Sequence, residues 1–172
     1  MDGFTRMDGA MPEPRSGAGI SRARLETQDQ LFQRFMLEFG GGRQQEFTSP
    51  VGHPLLIDQS LFRQRRRNAW KIQKGERAEW LVHMAESIKA PDEIWLLGDS
   101  QSSLDNLCFL SRFDVGRRQL LGCVAVFERE RGQVRSWTGV TSYAATRKQS
   151  YWEGLRGRPG QSLVYRRDPA RR

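Results

Sequence analysis

Four apolar runs of strand length, joined by short turns, occupy most of the chain from Glu93 to Val140. They are Glu93-Ile-Trp-Leu-Leu97, Leu107-Cys-Phe-Leu-Ser-Arg-Phe113, Leu120 to Glu128, and Val134 to Val140. Gly98-Asp-Ser-Gln101, Asp114-Val-Gly116 and Arg131-Gly132 supply the turns between them. A parallel strand pair needs a crossover of a dozen or more residues, usually a helix, and these gaps leave no room for one. The segment is therefore expected to form an antiparallel meander, with Leu120 to Glu128 apolar enough to be central. A short helix or coil is expected over Tyr143 to Leu155, and Gln161 to Arg166 reads as a last short strand.

Helical signals precede the meander. Thr27-Gln-Asp-Gln30 has the form of a capping box. Behind it Leu31, Phe32, Phe35, Met36 and Phe39 share one helical face, and Gly40-Gly41-Gly42 ends the helix. A basic loop and a short extended piece, Leu55-Leu56-Ile57, follow. Arg63-Gln-Arg-Arg-Arg67 is a charge run that reads as a solvated loop. A second helix is expected from about Gly75 to Lys89, with Ala78, Leu81, Val82, Ala85 and Ile88 as its buried stripe and Pro91 as its stop. His83 falls on the opposite, exposed face, near Glu76 and Glu79. The expected class is α+β: N-terminal helices packed on a four- to five-stranded twisted antiparallel sheet. Residues 1–24 are expected to be a disordered lead or the remnant of a larger carrier, and 25–45 a helix with a glycine linker. The functional domain is expected over 46–166, with 167–172 as a frayed basic tail.

Composition narrows the function classes. Leu, Ile, Val and Phe make up 38 of 172 residues, or 22%, just enough for one core. No apolar run reaches the ~18 residues needed to span a bilayer, so membrane insertion is not expected. The first residues lack the basic start and apolar stretch of a Sec-type signal peptide. Cys108 and Cys123, with His53 and His83 as the two histidines, make neither a disulfide framework nor a thiol-rich zinc site. The net charge is +8, and 24 of the 28 basic residues are arginine. Such usage follows from a GC-rich genome, or from a partner made of phosphates, whose oxygens guanidinium forks match.

Phosphate-loop motifs are absent: Gly40-Gly41-Gly42 has no preceding strand and no Lys-Ser/Thr after it. Asp92-Glu93 lacks the partner carboxylate of a two-metal site. Nucleic-acid chemistry here is therefore expected to need no metal or other cofactor. Metal-free RNA cleavage requires a base for the 2′-OH, an acid for the leaving 5′-oxygen, and groups that stabilise the phosphorane charge. Lys71, Arg77, Glu93, Thr138, Thr141, Tyr143 and Arg156 are of suitable type, with His53 behind them. Each also has a plain structural reading: Lys71 as a solvated loop lysine, Arg77 as a helix-surface charge, Thr141 as a strand-end residue.

Gly52-His-Pro-Leu-Leu-Ile-Asp-Gln-Ser-Leu-Phe62 resembles the opening of a phage-associated nuclease family within the Barnase–EndoU–Colicin–RelE superfamily. The resemblance continues through Trp70-Lys-Ile, Arg77-Ala-Glu-Trp-Leu and Met84-Ala-Glu-Ser-Ile-Lys-Ala-Pro-Asp-Glu-Ile-Trp95. It goes on through Trp137-Thr-Gly-Val-Thr-Ser-Tyr143 to Arg156-x-Arg-Pro-Gly160 and Leu163-Val-Tyr165, covering roughly residues 46 to 166. The helix with its Pro-Asp-Glu-Ile-Trp exit is its most specific part. The resemblance implies a helical part followed by a four-stranded antiparallel sheet, and a ribonuclease carried on phage head-morphogenesis proteins or as a toxin tip. It implies catalytic roles for Lys71, Arg77, Thr141 and Arg156: the first two hold the scissile phosphate, Thr141 donates a hydrogen bond, and Arg156 clamps a non-bridging oxygen. Glu93 and Trp95, with Thr138 and Tyr143, are the expected substrate-binding positions, and His53 is the candidate general base.

The expected activity is thus a metal-independent endoribonuclease toxin. It would act on tRNA or another structured RNA in the cytoplasm of a bacterial cell, delivered by phage or a secretion system and restrained by an acidic immunity or antitoxin protein. A non-catalytic basic phage module that touches nucleic acid, and a toxin with another chemistry such as ADP-ribosyl transfer, are the alternatives.

Overall fold

Short turns and apolar strand runs place the meander at the centre of the molecule. The computed structural model describes residues 10–17, 27–98 and 101–170. In chain order the elements are β1 (Arg15–Ser16), α1 (Gln28–Leu37), β2 (Gln44–Thr48), β3 (Pro54–Asp58), a 3-10 turn (Gln59–Phe62), β4 (Arg63–Gln64) and β5 (Ala69–Trp70). They continue with α2 (Leu81–Lys89), β6 (Glu93–Gly98), β7 (Leu104–Asp114), β8 (Leu120–Glu130), β9 (Trp137–Arg147), α3 (Gln149–Glu153) and β10 (Gln161–Arg166). Strands β6 to β9 form the antiparallel meander, and β10 adds antiparallel to β6.

The α+β class agrees with the sequence, while the sheet is larger than expected and not wholly antiparallel. It has eight strands in the order β10-β6-β7-β8-β9-β3-β2, with β1 alongside β7. Two pairings are parallel, β3 with β9 and β1 with β7. Gln44-Gln-Glu-Phe-Thr48 pairs along its whole length with β3 and so is strand, not loop. Helices are not confined to the N-terminal side either, because α3 follows the meander.

The two sheet faces carry separate apolar clusters. Ile94, Phe109, Cys123, Ala125, Phe127 and Trp137 pack against Phe32, Phe35 and Met36 of α1 and Leu81, Met84, Ala85 and Ile88 of α2. The capping box of Thr27 and Gln30 starts α1, each side chain bonding the other's backbone N–H at 2.9 and 3.2 Å. On the opposite face Leu110 and Val124 meet Trp152 of α3 and Met11. Gly122 makes this possible: a Cβ there would lie 2.2 Å from the Trp152 ring.

Three local expectations are corrected. The second helix begins at Leu81, because Gly75 (φ 65°) and the turns over 76–80 precede it. His83 is fully buried, its ring edge-on between Trp80 at 5.0 Å and Phe113 at 5.2 Å. An imidazole flanked by two aromatic rings belongs to the core rather than the surface. The fourth strand runs from Trp137 to Arg147, and Val134 is fully exposed outside it.

The expected disordered lead falls mainly on residues 1–9 and 18–26, which lie outside the described residues. Residues 10–17 are packed: Met11 is buried, and Arg15 reaches the buried Asp92 at 3.5 Å. Nor is the C-terminal stretch frayed at its start, since Arg166 bonds Glu93 at 3.2 Å and Arg167 bonds Asp92 at 2.9 Å. Burial raises the Asp92 carboxyl above its usual range, against the pull of Arg15, Arg167 and the Arg112 N–H.

Candidate active site

Strand register decides which candidates can meet. Glu93 stands beside Leu110, Val124 and Tyr143 across the meander; Trp95 stands beside Cys108, Val126 and Thr141; Leu97 stands beside Asn106, Glu128 and Thr138. Directly paired residues share a face. Glu93, Trp95, Thr138, Thr141 and Tyr143 therefore all lie on the sheet face away from α1 and α2. A register shift between Val126 and Phe127 lets Thr138 and Thr141 share that face although they are three residues apart.

Lys71 and Arg77 reach the same face around an open strand edge. β3 pairs with β9 at Trp137 and Thr138, and among the described residues the rest of this edge has no neighbouring strand. Residues 71–77 dock there instead. Arg77 Nε donates to the Ser142 carbonyl at 2.8 Å, and the Glu76 carboxylate accepts from the Thr146 N–H at 2.7 Å and its hydroxyl at 3.0 Å. These contacts satisfy backbone groups that would otherwise invite another strand.

The docked loop puts Lys71 Nζ 3.2 Å from Thr141 Oγ1 and the Arg77 guanidinium 5.9 Å from the centre of the Tyr143 ring. Burial, followed by the like charges of Arg77, Lys74 and Arg65, holds the Lys71 ammonium below the usual lysine range. The Arg63–Arg67 run, expected to be a solvated loop, contributes here. Arg65 Nη1 lies 2.6 Å from Glu128 Oε1, one residue pair along the face from Thr141. Glu128 and Arg65 were not legible as site residues, since the first ends an apolar strand run and the second sits in a charge run.

A second cluster occupies the far side of the face. Arg156 grips Glu93 with both prongs, Nε to Oε2 and Nη2 to Oε1, each at 2.7 Å. Trp95 Nε1 donates to Glu93 Oε2 at 3.0 Å, and Arg166 Nε to Oε1 at 3.2 Å. Three strand spacings separate β6 from β9, so this cluster stands about 14 Å from the Lys71–Thr141 pair. The expected phosphate clamp, Arg156, thus engages carboxylates here, Glu93 through Nε and Nη2 and Glu153 through Nη1 at 2.7 Å, and is not brought together with Lys71 and Thr141. Glu93 is fully buried and Trp95 is 8% exposed, so neither is presented for substrate contact. They brace the face instead.

His53 is not brought to this face. Its ring lies 5.4 Å from Trp137, whose indole belongs to the helical core and also carries the Arg129 guanidinium at 4.5 Å. Burial, and then the Arg129 charge, lower the imidazole pKa. His53, the expected general base, is therefore not brought together with Lys71, Arg77 and Thr141.

Between the two clusters lies a cavity of about 340 Å3, floored by Leu97, Cys108, Val124 and Val126 and walled by Tyr143, Leu155, Asn106, Arg158 and Gln161. Burial pushes the Cys108 thiol up to about 11. It likewise raises Tyr143, with Tyr151 adding to the shift. Among the described residues no group of three or more His, Cys, Asp or Glu could hold a metal ion. Among the same residues no helix is long and apolar enough to cross a membrane.

Fold and site together define an α+β domain whose open sheet face carries a cationic corner beside an apolar cavity. The chain belongs to the phage Barnase–EndoU–ColicinE5/D–RelE-like nuclease 2 family, whose model matches residues 31–166. The match begins within α1 and ends at the last residue of β10. No curated protein and no solved structure matches the chain.

Proposed function

We propose that this chain is a metal-independent endoribonuclease toxin that cleaves tRNA or another structured RNA by attack of the ribose 2′-OH. The observation that carries the reading is the convergence of Lys71, Arg77, Thr141 and Glu128 on one open sheet face. The Glu128 carboxylate takes the 2′-OH proton, and O2′ attacks phosphorus. The bond to the 5′-oxygen breaks, leaving a 2′,3′-cyclic phosphate, and the Lys71 ammonium protonates the departing oxygen. A lysine whose pKa is lowered is the better proton donor for that step. Thr141 Oγ1 accepts from Lys71 and keeps its own hydroxyl proton to donate to a phosphorane oxygen, while Arg77 neutralises the same charge. Arg65 orients Glu128 across their 2.6 Å contact.

An acidic immunity or antitoxin protein belongs to this proposal. A cofactor-free ribonuclease cannot be held inactive by withholding a metal. The cell that makes it needs a partner whose Asp and Glu side chains occupy the Lys71–Arg77–Thr141 corner, and complementary charge speeds its capture. The toxin's place of action on this reading is the bacterial cytoplasm, where its RNA lies.

Purified chain incubated with total RNA in EDTA tests the reading. Cleavage is expected to persist; loss in EDTA with rescue by magnesium or manganese would overturn the metal-independent mechanism. RNA affinity is also expected to fall steeply between about 50 and 200 mM salt, because phosphate contacts release counterions. An affinity unchanged over that range in filter binding would show that the arginines do not contact the backbone.

A further inference from the structure

We infer that the basic cavity at the Arg147 end of β9 is a second phosphate site, which holds the RNA backbone a few nucleotides away from the scissile phosphate. The inference rests on the ribonuclease reading above and adds to it the path that the substrate takes across the protein.

The cavity, of about 350 Å3, lies where the β7–β8 hairpin meets the end of β9, and Arg118, Arg147 and Lys148 line it beside Leu120 and Thr146. Register explains the convergence. Leu120 pairs with both Asp114 and Arg147, so the hairpin tip and the last residue of β9 end side by side. The tip carries backbone strain: Arg117 and Arg118 both have positive φ, 53° and 59°, and across them the Gln119 N–H donates to the Gly116 carbonyl at 3.0 Å. A two-residue hairpin turn of this kind favours Asn-Gly, because most side chains are strained there. Two arginines in its centre forgo that fit and hold two guanidinium groups at the strand ends. Such an outlier points to a use for the side chains.

Charge at this end is left unneutralised. Among the described residues no carboxylate pairs with Arg118, Arg147 or Lys148, and Arg147 Nη1 donates to the Thr146 carbonyl at 3.0 Å. The carboxylates close by are turned elsewhere: Asp114 accepts from the Gly116 N–H at 2.8 Å, and Glu76 accepts from the Thr146 N–H and hydroxyl. The opposite end of the meander is the reverse, with Arg131 paired to Asp105 at 3.0 Å and Arg135 to Glu130 at 3.5 Å. Cations gathered round a cavity repel one another, and an anion seated among them removes that cost.

The cavity lines up with the catalytic corner. Along the open edge of β9, Lys71 stands at Thr141, Arg77 at Ser142 and Tyr143, and the cavity at Thr146. The strand rise of roughly 3.3 Å per residue puts Thr146 about 17 Å from Thr141. A stacked strand carries one phosphate per about 3.4 Å of axis, so the two sites stand about five nucleotides apart. RNA is favoured over an acidic protein as the occupant, because these cations form one line that starts at the corner of the reacting phosphate.

One RNA in two lengths, about 20 and about 4 nucleotides centred on the cleaved bond, tests the inference on the intact chain. Arg118→Gln/Arg147→Gln/Lys148→Gln is compared with a control of equal charge, Arg43→Gln/Arg131→Gln/Arg135→Gln, with near-UV circular dichroism reporting folding. The cavity variant is expected to raise Kd and KM for the long RNA at least about tenfold and to flatten the salt slope by about 2, three contacts at about 0.7 each. Its kcat, and its handling of the short RNA, should stay within a few-fold of wild type, as should the control throughout. Arg117→Asn/Arg118→Gly installs the residues the turn favours, so it should fold at least as stably and still lose affinity for the long RNA severalfold. Unchanged affinity in both cavity variants, or equal losses in cavity variant and control, would overturn the site and leave the ribonuclease reading standing. Weakened binding of polyglutamate with RNA binding intact would overturn RNA as the occupant in favour of an acidic protein. Weakened RNA binding by the cavity variant, with no RNA cleaved by the wild type, would support the phosphate site and overturn the ribonuclease reading.

Discussion

Lys71→Ala is expected to lower the single-turnover rate of RNA cleavage by roughly 10²–10⁴-fold, the range typical of a positioned general acid. Affinity for RNA is expected to change only a few-fold, because one charge among many phosphate contacts is removed. The reason is local: the Lys71 ammonium donates to Thr141 at 3.2 Å, and alanine cannot reach across the open edge of β9. In the wild type the rate is expected to decline as pH rises through the Lys71 pKa, since the acid form is then lost. That decline should begin below the usual lysine value of about 10.4, because burial and three cationic neighbours favour the neutral amine. Glu128→Gln, similar in shape but unable to take the 2′-OH proton, is expected to be comparably impaired. Cleavage by Lys71→Ala within a few-fold of wild type would remove Lys71 from the chemistry.

Glu93→Ala is expected to destabilise the fold by about 3–5 kcal/mol, the cost of deleting one partner of a buried ion pair. Glu93 is fully buried, accepts both prongs of Arg156, and also bonds Arg166 and Trp95. Its removal takes the bidentate partner from Arg156, whose side chain is 12% exposed and keeps its Nη1 contact to Glu153 at 2.7 Å. Urea unfolding should show a midpoint lower by about 2 M for a slope near 2 kcal/mol/M. Cleavage by the fraction still folded should be retained more fully than in Lys71→Ala, since Glu93 touches no reacting group. A shift below about 0.5 M would show that the cluster is solvated and contributes little.

The meander was legible because apolar runs alternate with turn residues, and short gaps force antiparallel pairing. Other elements left weaker traces. Gln44-Gln-Glu-Phe-Thr48 is too polar to announce a strand, and it is held in the sheet by its hairpin with β3. The second half of β9, Thr141 to Arg147, mixes small and polar residues, so its pairing with β8 was not visible in the pattern. Residue types suited to phosphate chemistry singled out Lys71, Arg77 and Thr141, and the structure brings these three together. The same reasoning could not separate them from Arg156 and Glu93, because which cluster a residue joins depends on its position among the sheet's strands. His53 shows the same limit: its residue type suited a base, but the turn before β3 delivers it to Trp137 on the helical side. Glu128 escaped notice because its partner Arg65 is 63 residues away in sequence and meets it only when the loop wraps the β9 edge.

The central claim is attack by a 2′-OH. Cleavage of one defined RNA by the purified chain in EDTA, beside the same RNA carrying a single 2′-deoxy residue at the cleaved position, tests it most directly. The account predicts 2′,3′-cyclic phosphate and 5′-hydroxyl ends from the first substrate and no cleavage of the second at that position. Equal cleavage of both, or 3′-hydroxyl and 5′-phosphate ends, would contradict it.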